Sequence, residues 1–217
     1  QVVAATVTGT TWSYALTPAD LTALGQGIVA IQATQTDAAG NTSLASTFNT
    51  HIDTVAPAAP TIDPVAGDNT INAAETGAVI TGKAEPLATV AITFAGQTVT
   101  VTADVSGNWL LALTPADVAA MGEGPETISV TQTDVAGNTS PAASATITVD
   151  TQAPTAPVIL SPVAGDNVIG ASEVAASITG TADANATVKL NLGGQTVTIQ
   201  ADASGDWPVS YTHLTLP

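Results

Sequence analysis

Through most of the chain, apolar and polar residues alternate with a period of two. The stretch Thr89–Phe94 puts Val90, Ile92 and Phe94 on one side, and the alternation resumes at Thr98 after the tight turn Ala95-Gly96-Gln97. Successive side chains of a strand point to opposite faces, so this pattern predicts strands with one buried face. Read this way, strands are expected at 60–63, 78–84, 88–94, 98–103, 109–113, 126–133 and 143–149. Asp104–Asn108 and Asp134–Asn138 are rich in Asp, Asn, Gly and Ser, the residues that form turns without a steric penalty. One stretch breaks the period. Thr114-Pro115-Ala116-Asp117 reads as a helix N-cap with proline at the first helical position, and Gly122 ends that helix after one or two turns.

The same text then returns. Trp12, Trp109 and Trp207 lie 97 and 98 residues apart. TQTDAAGNTS (34–43) recurs as TQTDVAGNTS (131–140), and PVAGDNTINAAE (64–75) as PVAGDNVIGASE (162–173). The linker HIDTVAPAAP (51–60) recurs as TVDTQAPTAP (148–157), and the hairpin turn as Gly193-Gly194-Gln195. Solenoid units run about 20–45 residues, so this period is too long for one. It matches a small Greek-key sandwich of about 100 residues. The expectation is all-β: tandem immunoglobulin-like Greek-key sandwich modules in a linear array. Residues 1–53 are the C-terminal half of a first module, 54–150 a complete second, and 151–217 the N-terminal half of a third. After Trp207 the text departs from the repeat, and Pro208 stands where the earlier repeats have strand residues. Residues 208–217 are therefore expected to be a non-native tail, with His213 incidental.

Composition narrows the function. Lys83 and Lys189 are the only cations against 18 acidic residues, a formal charge of −16. Nucleic acid is excluded as a partner because phosphate binding needs clustered Lys and Arg, and insertion in a membrane because no apolar stretch reaches the ~20 residues of a span. With no cysteine there is neither a disulfide framework nor a thiol nucleophile. The histidines are His51 and His213, and His51 has a threonine, Thr148, at its place in the next repeat. A serine-nucleophile triad needs a histidine held by a carboxylate, so catalysis on His51 is not expected. No phosphate-cradling glycine loop or zinc spacing occurs either. The three tryptophans, each opening a strand after a turn, are expected to fill the core between sheets rather than stack on a sugar.

The linkers, TDxAGNxS, DxSGxW and LTPADLxALGxG together resemble the bacterial Ig-like repeats of giant surface adhesins, the biofilm-associated and type-I-secreted families. The resemblance covers nearly the whole chain. It implies a rod of many modules exported to the bacterial cell surface, of which this chain is a piece, and calcium at the joints of such rods. With no catalytic constellation among the residues weighed above, no enzymatic activity is expected.

Calcium takes hard carboxylate and carbonyl oxygens, so acidic residues gathered at one pole of a module are its candidate ligands. In an immunoglobulin-like topology, Asp53 from the linker, Glu85 from one turn, and Asp134 with Asn138 from another share a pole. Asp150 and Asp183 are their counterparts one repeat on. Asp68, Glu75 and Asp117 form a second set at the opposite pole, with Asp166, Glu173 and Asp20 as counterparts. An Asp before Ala-Gly-Asn also makes a good turn with no metal at all. The function expected is a non-enzymatic stalk or spacer of a cell-surface adhesin, rigidified by calcium, its partners the neighbouring modules of the same chain. Two alternatives stay open: a module that binds a host or matrix glycan or protein, and a spacer in a secreted enzyme.

Overall fold

The computed structural model describes residues 3–168, 177–192 and 194–210, and the chain forms two compact units, residues 1–151 and 152–217. Glu173, Gly193 and the 211–217 segment with His213 lie outside the described residues.

The first unit opens with β1 (Thr6–Thr8) and β2 (Thr11–Ser13), paired antiparallel, then α1 (Pro18–Leu24), β3 (Gly27–Ala33) and β4 (Ser46–Ile52). β3 and β4 pair antiparallel, Gly27 opposite Ile52. From the linker onward come a 3-10 turn (Val65–Gly67), β5 (Thr70–Asn72), β6 (Val79–Lys83), β7 (Thr89–Phe94), β8 (Gln97–Thr102), β9 (Asn108–Ala112), α2 (Pro115–Met121), β10 (Gly124–Thr133) and β11 (Ala143–Asp150). One sheet has the order β5-β11-β10-β7-β8 and the other pairs β6 with β9. The two faces enclose Ile71, Ile80, Val90, Ile92, Phe94, Trp109, Ile128, Val130, Ile147 and Val149. Apart from Ile71, these are the inward positions of the period-two pattern, and their burial supplies the main stabilising term.

Two details differ from the pattern. The expected strand at 60–63 is not a regular strand, although the Thr61 and Asp63 amides donate to the carbonyls of Lys83 and Thr81. Prolines at 57, 60 and 64 withhold amide donors there, which limits the segment to an edge. β5 was not foreseen. It is only three residues long and pairs in parallel with β11, Thr70 opposite Thr148, and a run that short shows little alternation.

The second unit contains β12 (Val158–Ile159), a 3-10 turn (Val163–Gly165), β13 (Ser177–Thr181), β14 (Thr187–Leu192), β15 (Gln195–Gln200) and β16 (Asp206–Ser210). β12, β13 and β16 form one sheet, and β14 pairs with β15. Pro208 is accommodated within β16, opposite Thr179, because β16 is an edge strand and its missing donor breaks no second ladder.

The tryptophans split. Trp109 and Trp207 are buried at 2 % and 1 % exposure, as expected of core residues, whereas Trp12 is 59 % exposed. Core packing does not extend to Trp12, because the described residues of the first repeat supply no strand equivalent to β6 to cover it. The buried indoles lie against Gly82 and Gly180, where an added Cβ would overlap both the ring and a facing carbonyl, that of Thr61 or Val158. Glycine at these two positions is what lets strand, ring and edge segment approach. Neither indole Nε1 has a hydrogen-bond partner, so both rings are held by packing.

Candidate structural joint

The linker after β4 is bonded at both ends. On its near side, the Thr54 amide donates to Gln26 Oε1 at 2.9 Å, and Gln26 Nε2 donates to Thr54 Oγ1 at 2.6 Å. One repeat later the same places hold Glu123 and Thr151: the Thr151 amide donates to Glu123 Oε2 at 3.0 Å, and its hydroxyl to Glu123 Oε1. Each pair ties the residue after the linker Asp to the loop behind the short helix.

On its far side the linker meets the β10–β11 end. Gln132 is 2 % exposed and fully used. Its Nε2 donates to the Ala58 carbonyl at 2.7 Å, its Oε1 accepts from the Glu85 amide at 2.6 Å, and its own amide donates to Ser140 Oγ at 3.0 Å. A buried amide side chain satisfied at both ends fixes geometry, since removing it leaves partners without hydrogen bonds. Beside it, Asn138 Nδ2 donates to the Asp53 carbonyl at 3.3 Å and to Asp134 Oδ2 at 2.9 Å. Pro57 and Pro60 are buried against this end.

The turn that presents Asn138 is internally closed. Asp134 Oδ1 accepts from the amides of Ala136 and Asn138, each at 2.9 Å. Asn138 and these donors hold the Asp134 carboxyl below the usual carboxylate range. The turns at Asp37 and Asp104 repeat the arrangement, with Asn41 and Asn108 as the leading cause of their lowered values.

The other acidic candidates are placed as follows. Asp117 and Asp20 close capping boxes with Thr114 and Thr17 at the starts of α2 and α1; the Thr114 hydroxyl and amide hold the Asp117 carboxyl down. Tyr14 Oη also donates to Asp20 at 2.8 Å. Asp53 accepts from the Val55 amide, Asp68 from the Thr70 amide, Asp166 from the Val168 amide and Glu75 from the Asn72 amide. Asp183 accepts from the Thr155 hydroxyl at 2.8 Å, while the Glu85 and Asp150 side chains are exposed. Among the described residues, no three His, Cys, Asp or Glu side chains form a group that could hold a metal ion.

Sequence reasoning missed Gln26, Glu123 and Gln132. Gln132 sits at an inward position of β10 among apolar residues, and a lone amide on a buried face was the available signal.

Residues 56–149 match the family model of the bacterial Ig domain. Among solved structures, the chain is similar to a 1.5-MDa bacterial ice-binding adhesin concerned with host cell surface retention, at 28 % identity and a TM-score of 0.46, covering 88 % of this chain and 65 % of that one. It is also similar to an adhesin described as Ca²⁺-stabilized, by which an Antarctic bacterium reaches out and binds ice, at 33 % identity and a TM-score of 0.46, covering 88 % and 49 %. The chain thus spans somewhat under two thirds of the first and about half of the second. A bacterial immunoglobulin-like domain of the M. primoryensis ice-binding adhesin is 30 % identical, with a TM-score of 0.36, over 44 % of this chain and 100 % of that domain. No curated protein matches. On the family match, residues 56–149 belong to the bacterial Ig domain family.

Proposed function

We propose that the chain is a stalk section of a bacterial cell-surface adhesin, a non-enzymatic spacer of modules 1–53, 54–150 and 151–217 that holds other parts of the protein away from the cell. The observation that carries this reading is the repeated pinning of the linker. Gln26 with Thr54 and Glu123 with Thr151 make the same bonds one repeat apart. Domains joined by small interfaces move freely by default, and a spacer that sets reach needs joints that do not. Burial of Trp109 and Trp207 removes them as sugar-stacking platforms and so favours a stalk over a glycan-binding module. The test is to offer the chain to arrays of glycans and matrix proteins. The stalk reading expects no saturable binding above background, and a saturable ligand would replace it with the binding-module reading.

Calcium stiffening is the second reading, and one observation favours it. The Asn138 amide group sits between two oxygens, Asp134 Oδ2 and the Asp53 carbonyl, both of the type calcium prefers. A cation bound only to the closed joint would add RT ln(1 + [L]/Kd), about 2.7 kcal/mol at a hundredfold excess over Kd. Calorimetry and small-angle scattering with millimolar calcium or with chelator decide it. A melting temperature and maximum dimension unmoved by chelation would leave the hydrogen bonds as the only stiffening element.

A further inference from the structure

Short strands, prolines and lysines are the usual devices that keep a sheet edge from adding a foreign strand. The complete second repeat uses them on most of its edges. The edge segment 60–63 begins with Pro60, is followed by Pro64 and carries Asp63. β5 is three residues long. β9 has Lys83 opposite its Asn108, the ammonium in contact with the Asn108 side chain. β8 has none of these guards. It is six residues long, Gln97–Thr102, with no charge, no proline and no bulge in its pairing with β7. Among the described residues β7 is its only strand partner, so β8 is the open edge of the five-stranded sheet. An uncharged run of this length, rich in threonine and valine, has the composition of a strand that pairs with others.

The hairpin turn fixes which backbone groups of β8 face the open side. Ala95 and Gly96 both have positive φ, 48° and 71°, so the loop is the two-residue kind and Phe94 and Gln97 exchange hydrogen bonds. Bonded pairs then alternate along the strand. Val99 and Val101 bond to Ile92 and Val90, which leaves the amides and carbonyls of Thr98, Thr100 and Thr102 pointing outward. The three threonine side chains are exposed, whereas Val99 and Val101 lie on the core face and are only half-buried. The strand recurs as β15, with two changes. Lys189 stands opposite Thr198 there, where Ala91 stands opposite Thr100. Gln200 takes the place of Thr102, and its side chain donates to the Asn185 carbonyl at 3.5 Å. β15 thus has a lysine beside it that β8 lacks.

We propose that two copies of the chain pair through β8, the strand of one adding antiparallel to the same strand of the other about a two-fold axis at Thr100. The register that uses all three outward residues sets Thr100 opposite Thr100 of the second copy, Thr98 opposite Thr102, and Val99 opposite Val101. Threonine then meets threonine on the outer face, a stabilising cross-strand pair. Valine meets valine on the core face, which completes the burial of two half-exposed apolar side chains. The occupant is a second copy because the edge complements itself in this way. It is also an uncharged stretch on which two chains of charge −16 meet without setting like charges opposite one another. The contact uses the same surface on both copies, so it closes at a dimer. Repulsion between the rest of the two acidic chains acts at longer range and is screened by salt. The pairing goes beyond the stalk reading and does not depend on it.

Sedimentation velocity of the full chain over a concentration series tests the association. The expected result is a monomer–dimer equilibrium that shifts toward dimer with concentration and with salt and stops at twice the monomer mass. Thr100→Lys sets two ammonium groups against each other on the axis and should weaken the dimer about tenfold or more, with the melting temperature unchanged. Thr198→Lys, on β15, should leave the dimer as it is. Disulfide trapping reads the register, since the chain has no cysteine. Cα atoms of a bonded antiparallel pair lie about 5.5 Å apart, a span that a disulfide bridges, so oxidised Thr100→Cys should give a covalent dimer. Thr146→Cys, exposed on β11 and away from the edge, should give about tenfold less. A monomer at every concentration overturns the proposal. An undiminished dimer in Thr100→Lys, an equal loss in Thr198→Lys, equal trapping at position 146, or growth past the dimer overturns it as well. The array test of the stalk reading is independent of these results.

Discussion

Trp12 and Trp207 open the same strand of the same repeat, yet one is 59 % exposed and the other 1 %. Trp207 is surrounded by what precedes it in the repeat: β13 with Gly180, and the carbonyl of Val158 on the edge segment. Trp12 has after it what Trp207 lacks among the described residues, a helix and the β3–β4 hairpin, and these leave it in water. The tryptophan site is therefore built by the first half of the repeat. Trp109, with both halves present, is 2 % exposed, little different from Trp207.

The largest expected effect follows from that contrast. Trp109→Ala should cost about 3–5 kcal/mol, the usual range for emptying an aromatic core site, whereas Trp12→Ala should stay within about 0.5 kcal/mol. Chemical denaturation of the two variants checks this, and equal losses would break the comparison. Gly82→Ala comes next, because its methyl would overlap the Thr61 carbonyl and the indole. Overpacking of that kind costs about 1–3 kcal/mol, read from the same denaturation curves.

Sequence made the strands legible because alternation survives wherever one face is buried, and the helix because Thr114, Pro115 and Asp117 carry a complete capping signal. The burial of Trp12 was misjudged for a physical reason. A residue's place in a pattern states which way it faces, and only the neighbouring half states whether anything is there. The joint was half legible. Asp53, Asp134 and Asn138 were placed at one pole from topology, and Asn138 does touch both Asp134 and the Asp53 carbonyl. The acidic side chains drew attention as metal ligands; those of Asp53 and Asp134 are engaged locally with backbone amides two to four residues away. Those short-range bonds are what Asp does in any turn, and composition cannot separate that use from coordination. Gln132 was passed over because nothing in a single glutamine foretells bonds to residues 47 and 74 positions away.

The same pair of repeats sharpens the joint. Gln132→Ala removes two side-chain hydrogen bonds at a buried site and leaves the Ala58 carbonyl and Glu85 amide unsatisfied, a loss of about 1–3 kcal/mol. Gln35→Ala, at the exposed equivalent, should be neutral. Thermal melts of both variants check the pair. The smallest effect is that of acid. Asp37, Asp104, Asp117 and Asp134 have folded-state values lowered below 3.8, chiefly by their Asn or Thr partners. Their contribution is complete above the unfolded-state value and is lost as pH falls through the lowered ones. Calorimetry should find the melting temperature level from about pH 7 to 5 and declining only below about pH 4.

The account stands on the linker being held rather than free. Backbone ¹⁵N relaxation of the amides of Val55, Ala56, Ala58 and Ala59 measures that directly. The bonds from Gln26, Gln132 and Asn138 predict order parameters near the rigid value of about 0.85, falling toward 0.6 in the Gln132→Ala, Asn138→Ala double variant. Order parameters below about 0.6 in the unaltered chain would contradict it, because a linker that mobile cannot transmit the direction of one module to the next.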